Sequence, residues 1–226
     1  MNLHSITDIF FDLDHTLWDF DRNSAVAFAT IFSKHKIGVE LSEFLRVYEP
    51  LNYSYWERYR KNEINKEELR FKRLQDTFSA LNCSVSHQQI ELLCDDYIVH
   101  LPDSNHLFPG TMETLDYLFE KYNLHIITDG FHSVQHQKLQ NSKIDHYFKT
   151  VTTSEEVGAK KPDPKIFQEA LKKANSEKRK ALMIGDNLQA DVLGAINFGM
   201  QAIHYSKEKS HKGLHIEHHQ SLLDIL

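Results

Sequence analysis

Short apolar runs alternating with helical patterns confine this chain to one broad architecture. The runs lie at 9–11, 124–128, 147–153 and 181–185, with a fifth at 200–205, and are rich in the β-branched and aromatic residues that suit buried strands. Between them, Met112, Leu115, Leu118, Phe119 and Tyr122 recur at helical spacing behind Pro109 and Thr111. Pro162-Asp163-Pro164 introduces a second helix carrying Ile166, Phe167, Ala170 and Leu171, and a third is expected over 189–198, stopped by Gly199. Strands alternating with helices predict an α/β fold, a Rossmann-like parallel sheet with helices on both faces.

The stretch 21–100 breaks this rhythm. It holds no bounded strand-length apolar run and reads as four helices, at 24–34, 42–61, 66–81 and 86–99. The segment 101–105, Leu-Pro-Asp-Ser-Asn, reads as a linker. The expected organisation is therefore an α/β core domain at 1–20 and 101–226, interrupted by an α-helical cap domain at 21–100. An insert on two hinges is suited to closing over a sheet-edge site and supplying specificity; the alternative is a module that only adds core or a dimer surface.

The first run ends in Asp12-Leu13-Asp14, two carboxylates one residue apart at the carboxyl end of a strand, the edge where open α/β sheets bind ligands. Such a pair repels itself unless a cation or a perturbed pKa relieves it. If Asp12 is a nucleophile toward a phosphate ester, four further groups are required: a hard cation, carboxylates to anchor it, donors for the phosphoryl oxygens, and an acid for the departing alkoxide. The later strand ends offer them in order. Thr128, Asp129 and Gly130 follow the second run, with a hydroxyl and a backbone open to an anion. Lys160 and Lys161 follow the third, and Asp186 and Asp191 follow the fourth.

That ordered set resembles the haloacid dehalogenase superfamily over nearly the whole chain. Asp12-Leu13-Asp14-His15-Thr16 matches its first motif, and Thr128, Lys161 and the Asp186/Asp191 pair match the other three. The stretch from Asp12 to Asp21, with Trp18 and Phe20, is further similar to the bacterial branch of pyrimidine and noncanonical nucleotide 5′-nucleotidases. The resemblance implies that Asp12 attacks phosphorus and Asp14 is the acid and then the base. It implies that Thr128 and Lys161, with Asp129 and Gly130 beside them, bind phosphate. It also implies that Mg2+ is held by Asp12, the main-chain carbonyl of Asp14, and Asp186, with Asp191 supporting the metal directly or through water. Lys161, directly before proline, fits better than Lys160. Asp129 stands where that branch frequently has asparagine, and a carboxylate there must face away or meet a cation.

The expected activity is magnesium-dependent hydrolysis of a small phosphorylated metabolite, with a nucleoside 5′-monophosphate as the leading substrate. The alternatives are a β-phosphoglucomutase-type phosphotransferase, a phosphoglycolate or sugar phosphatase, and a non-catalytic binding protein. Carbon–halogen hydrolysis is disfavoured, since that chemistry has no use for Asp14.

Composition limits the partners. The 226 residues carry a net charge of −6, which disfavours a nucleic acid polymer. Two cysteines, Cys83 and Cys94, offer no disulfide framework and read as buried thiols of a reducing compartment. Asp8, Asp12, Asp14 and Asp19 break any signal-peptide pattern, no apolar run is long enough to span a membrane, and a cytoplasmic location is expected. Oligomeric state is not legible. Fifteen histidines, among them His132, His136 and the group His211, His215, His218 and His219, lack the pattern of a zinc or nickel site and read as solvated. Tyr53, Tyr55, Trp56 and Tyr59 read first as helix-packing core and second as a surface on which a nucleobase could stack.

Overall fold

A computed structural model describes residues 3–207 and 214–226, so His211 lies outside the described residues. The strands are β1 (Asp8–Phe11), β2 (Asn123–Thr128), β3 (Phe148–Thr153), β4 (Ala181–Gly185), β5 (Gln201–Tyr205) and β6 (Leu214–Ile216). All are parallel, in the order β3-β2-β1-β4-β5-β6. β6 has no counterpart in the sequence reading, being three residues long.

The longer helices are α1 (Phe20–His35), α2 (Leu41–Arg60), α3 (Lys66–Ala80), α4 (His87–His100), α5 (Thr111–Phe119), α6 (His132–Asn141), α7 (Ser154–Val157), α8 (Pro164–Ala174), α9 (Gly194–Phe198) and α10 (Ser221–Ile225). The chain divides into two compact units, Met1–Phe20 with Asn105–Leu226, and Asp21–Ser104.

In the sheet unit, β1 is fully covered: Ile9, Phe10 and Phe11 are all inaccessible to solvent. Successive side chains leave opposite faces, so the sheet must be covered on both. Phe10 packs with Ile127, Met183 and Ala202 against Ile166, Phe167 and Leu171 of α8 and Ala195 of α9. β1 aligns Phe11 with Ile126 of β2 and Ile184 of β4, which brings the carboxyl ends of the three central strands to one edge. The order reverses at β1, the position where open sheets of this kind leave a ligand crevice.

The helical unit packs α1 to α4 around an aromatic core. Phe28 and Phe44 centroids lie 4.8 Å apart, and Phe28 stacks on Tyr97 at 4.6 Å. Arg73 is buried among these rings and donates to Asn52 Oδ1 at 2.7 Å. Asn65 and Ser86 form capping boxes that start α3 and α4. The aromatic group on α2 splits: Tyr55 and Tyr59 are buried, Trp56 is half-buried and Tyr53 is 57% exposed. The thiols differ too, since Cys94 is buried and Cys83 only half-buried.

The solvated reading of the histidines holds for His132 and His218, which are exposed, and is corrected for three others. His125, His204 and His219 are buried, because each ring stacks or bonds inside the sheet unit. His125 stacks on Phe10 and contacts Thr150 and Asp8, His204 reaches the Asp186 carbonyl, and His219 packs on Tyr205.

At the amino edge of the sheet, Asp8 accepts from Thr7 Oγ1 at 2.6 Å, Ser176 Oγ at 2.8 Å, Asn123 Nδ2 at 2.9 Å and His125 Nε2 at 3.3 Å. Burial opposes its charge, but these donors outweigh burial and hold the carboxyl below its usual range. Burial likewise holds His125 below the usual imidazole range, against the pull of Asp8. A depressed folded pKa contributes stability above the unfolded value that is lost as pH falls. Melting temperature should therefore decline first as pH drops below about 6.5 through His125, and again below about 4 through Asp8. In Asp8→Asn the lower limb should flatten, at a cost of about 1–3 kcal/mol at neutral pH, as read by urea titration.

Candidate active site

The chain leaves β1 through a tight turn. Leu17 N and Trp18 N both donate to Leu13 O, and His15, at φ 61°, occupies the left-handed region. The turn sends Thr16 to the end of β4, where its hydroxyl accepts from Asp186 N at 3.0 Å. Asp12 N donates to Ile184 O at 2.9 Å, extending the β1–β4 ladder by one residue and seating Asp12 at the edge.

Beyond β4, the expected plain helix is replaced. Residues Leu188–Leu193 form a π-helical turn, with Val192 N reaching Asn187 O at 3.3 Å, before α9 begins. Asn187 caps the turn through Gln189 N and Ala190 N. This wider turn brings Asp191 back beneath β4, where its Oδ2 accepts from Asn187 N at 3.0 Å. Gly185 leaves the room, since a Cβ there would stand 2.3 Å from Asp191 Oδ2. Gly185→Ala should displace Asp191, cost about 1–3 kcal/mol, and weaken any divalent-cation binding at least about tenfold, measurable by calorimetry.

One carboxylate oxygen each from Asp12, Asp186 and Asp191 lies within 4.8 Å of the others. Among the described residues this is the acidic group able to hold a metal ion, and an all-carboxylate set fits a hard divalent cation rather than a thiophilic one. The carboxylate of Asp14 is not in the cluster. Its Oδ1 lies 2.6 Å from Lys138 Nζ and its Oδ2 accepts from Gln135 Nε2 at 3.0 Å.

Lys161 stands between two of the acids, 2.6 Å from Asp12 Oδ1 and 2.7 Å from Asp191 Oδ1, and donates to Ile127 O at 3.0 Å. Burial disfavours its charge, but Asp12, Asp191 and Asp129 together hold the ammonium above the usual lysine range. Burial pushes the Asp12 carboxyl well above its usual range; Lys161 opposes this, and Asp191 and Asp186 add to it. Lys160 is only half-buried.

Thr128, Asp129 and Gly130 continue from β2 at the same edge. Thr128 Oγ1 accepts from Gln135 Nε2 at 2.6 Å and from Gly130 N at 3.1 Å. The Asp129 carboxylate turns toward the lysine loop, where Oδ1 accepts from Lys161 N at 3.0 Å, while its carbonyl accepts from Ser154 Oγ. The extra carboxylate thus fixes the loop that carries Lys161.

Gln135 and Lys138 were not singled out in the sequence. Their signal is that the buried face of α6 is Val134, Gln135, Lys138 and Leu139, two apolar residues interleaved with two polar ones. The His132 and His136 rings lie tilted to one another on the same helix, with centroids 4.6 Å apart, and His132 Nδ1 contacts Thr153 Oγ1. Among the described residues they form no metal-holding group.

Residues 9–205 match the family model for haloacid dehalogenase-like hydrolases. The chain is 31% identical over 216 residues to pyrimidine 5′-nucleotidase PynA of Streptococcus pneumoniae, covering 93% of this chain and 86% of that protein. It is 31% identical over 193 residues to pyrimidine 5′-nucleotidase YjjG of Escherichia coli, covering 85% and 82%. The fold is shared with the HAD-hydrolase YfnB of Bacillus subtilis, solved bound to magnesium, at a TM-score of 0.89 and 22% identity over 97% of this chain and 98% of that one.

Proposed function

Because the chain belongs to the haloacid dehalogenase-like hydrolases, we propose that it is a magnesium-dependent phosphomonoester hydrolase working through an aspartyl-phosphate on Asp12. Its proposed substrates are pyrimidine nucleoside 5′-monophosphates. The observation that carries the reaction is the meeting of buried Asp12, Asp191 and Lys161 with half-buried Asp186 at the carboxyl edge of the sheet. The names of PynA and YjjG support the substrate class.

Asp12, Asp186 and Asp191 would hold Mg2+, joined by the main-chain carbonyl of Asp14. When bound, Mg2+ would neutralise charge between the carboxylates and the phosphoryl group. Asp12 Oδ forms a bond to phosphorus as the ester P–O bond breaks, and Asp14 gives its proton to the departing oxygen, releasing an alcohol. Water then attacks the acyl phosphate, Asp14 takes the water proton, and Asp12 leaves as carboxylate. Thr128, the backbone at Asp129 and Gly130, and Lys161 hold the phosphoryl oxygens.

Phosphate release from a panel of phosphomonoesters, in Mg2+ and in EDTA, tests both parts. Pyrimidine nucleoside 5′-monophosphates should give the highest kcat/KM, and EDTA should abolish turnover. Equal or faster hydrolysis of phosphoglycolate or hexose phosphates would overturn the substrate, and metal-independent turnover the mechanism. An isomerised sugar phosphate in place of free phosphate would identify a mutase.

A further inference from the structure

α6 presents a second set of polar groups to the site, on its buried face. Lys138 is 2% exposed, with Nζ 4.2 Å from the Trp18 ring centroid, 5.2 Å from that of Phe20 and 2.6 Å from Asp14 Oδ1. Gln135, fully buried, spans the site: its Nε2 donates both to Asp14 Oδ2 at 3.0 Å and to Thr128 Oγ1 at 2.6 Å. With Nε2 shared between these two oxygens, the amide nitrogen is the end that faces Asp14. The other end of the amide is then left over, and Gln135 Oε1 is buried with no hydrogen-bond partner among the described residues. A buried, unsatisfied carbonyl is costly, and an ammonium stripped of water costs more unless it is paired.

Folding alone gives no reason for these costs, because a leucine and a methionine at the two positions would fill the same helix face. Space is also reserved for the arrangement: a Cβ on Gly130 would stand 2.4 Å from the Gln135 side chain. The aromatic rings hold the lysine by their π-faces and leave its ammonium aimed at Asp14.

We propose that Gln135 and Lys138 are positioning residues for proton transfer by Asp14. The inference rests on the phosphatase reading above. In the first half-reaction the Asp14 proton moves to the ester oxygen as the P–O bond breaks and the Asp12–phosphorus bond forms. Negative charge appears on Asp14 as that proton leaves. The two α6 donors meet both carboxylate oxygens, so they match the charge as it develops and fix the direction in which the proton is delivered. Through Thr128, Gln135 also ties the acid to a group that holds the phosphoryl oxygens.

The test uses leaving groups of different basicity. An alkyl phosphomonoester, such as a nucleoside 5′-monophosphate, releases a basic alkoxide that needs the Asp14 proton. p-Nitrophenyl phosphate releases a stable phenolate that does not. The ratio of kcat/KM for the alkyl ester to kcat/KM for p-nitrophenyl phosphate is measured for Lys138→Met and Gln135→Leu, with Mg2+, against wild type. General-acid catalysis is worth about 10²–10⁴-fold, so the ratio should fall at least about tenfold in each variant. A loss shared equally by both esters would assign the residues to folding alone and overturn the proposal, as would full retention of the ratio. Should one variant fail to fold, the other decides by the same ratio. Wild-type protein that releases phosphate from neither ester would overturn instead the phosphatase reading on which the proposal stands.

Discussion

Asp12→Asn should eliminate metal-dependent phosphate release, by about four orders of magnitude or more, while making the metal-free protein more stable. On the proposed mechanism the activity loss follows from removing the oxygen that would bond to phosphorus, a role no neighbouring side chain can assume. The stability gain follows from the burial that pushes the Asp12 carboxyl upward, with Asp191 and Asp186 adding repulsion after the opposing pull of Lys161. A carboxyl whose folded pKa is raised contributes stability below that pKa and loses it as pH rises through it. The buried Asp12 carboxyl is therefore a destabilised group held for use, and the neutral amide relieves it. In EDTA the variant should melt a few degrees higher, about the shift that 1 kcal/mol produces in a chain of this size. Added Mg2+ should then raise the wild-type melting temperature more than that of the variant, because ligand binding to the folded state is stabilising in proportion to affinity. A radiolabelled substrate and an acid quench should trap label on wild type and none on Asp12→Asn. If the variant keeps even a tenth of wild-type turnover, Asp12 is not the nucleophile.

The strand ends were legible because the central strands are buried on both faces and so stand out as bounded apolar runs. Ala181–Gly185 coincides with the expected run, and β2 begins one residue earlier than expected. What lies beyond β4 was less legible. A hydrophobic period cannot distinguish a π-helical turn from an α-helix over six residues, yet the extra residue in that turn is what carries Asp191 back beneath Gly185. Buried polar groups were the least visible. Gln135, Lys138 and His219 have the composition of a solvated surface, and only tertiary packing removes them from water. Asp129 is the converse case. Its charge looked misplaced beside a phosphate, and its use became evident only in the hydrogen bond to Lys161 N, a contact across 32 residues of sequence.

Lys161→Met should be the most destabilising conservative change in the sheet unit. Methionine can fill the volume of the lysine stem, so the effect isolates the charge. Asp12 and Asp191 are 8% and 1% exposed, and both lie within ion-pair distance of the one ammonium. Removing one partner of a buried pair strands the other, at about 3–5 kcal/mol, and here two acids are stranded together. The Ile127 carbonyl also loses its donor. Urea unfolding in EDTA should show this full loss. Lys160→Met, on the half-buried neighbour, should stay within about 0.5 kcal/mol of wild type. Mg2+ should restore much of the stability of Lys161→Met, because a cation among Asp12, Asp186 and Asp191 meets the same need for positive charge. Activity should not return with it. On the proposed mechanism the lysine also holds the phosphoryl oxygens, and losing such a donor costs about 10²–10³-fold in turnover. Stability that returns with Mg2+ while turnover does not would separate the two tasks proposed for Lys161, balancing the acids before substrate arrives and holding the phosphoryl group afterwards. A variant as stable as wild type in EDTA would mean that the acids carry no net charge in the metal-free protein, and the electrostatic account of the site would fail at its centre.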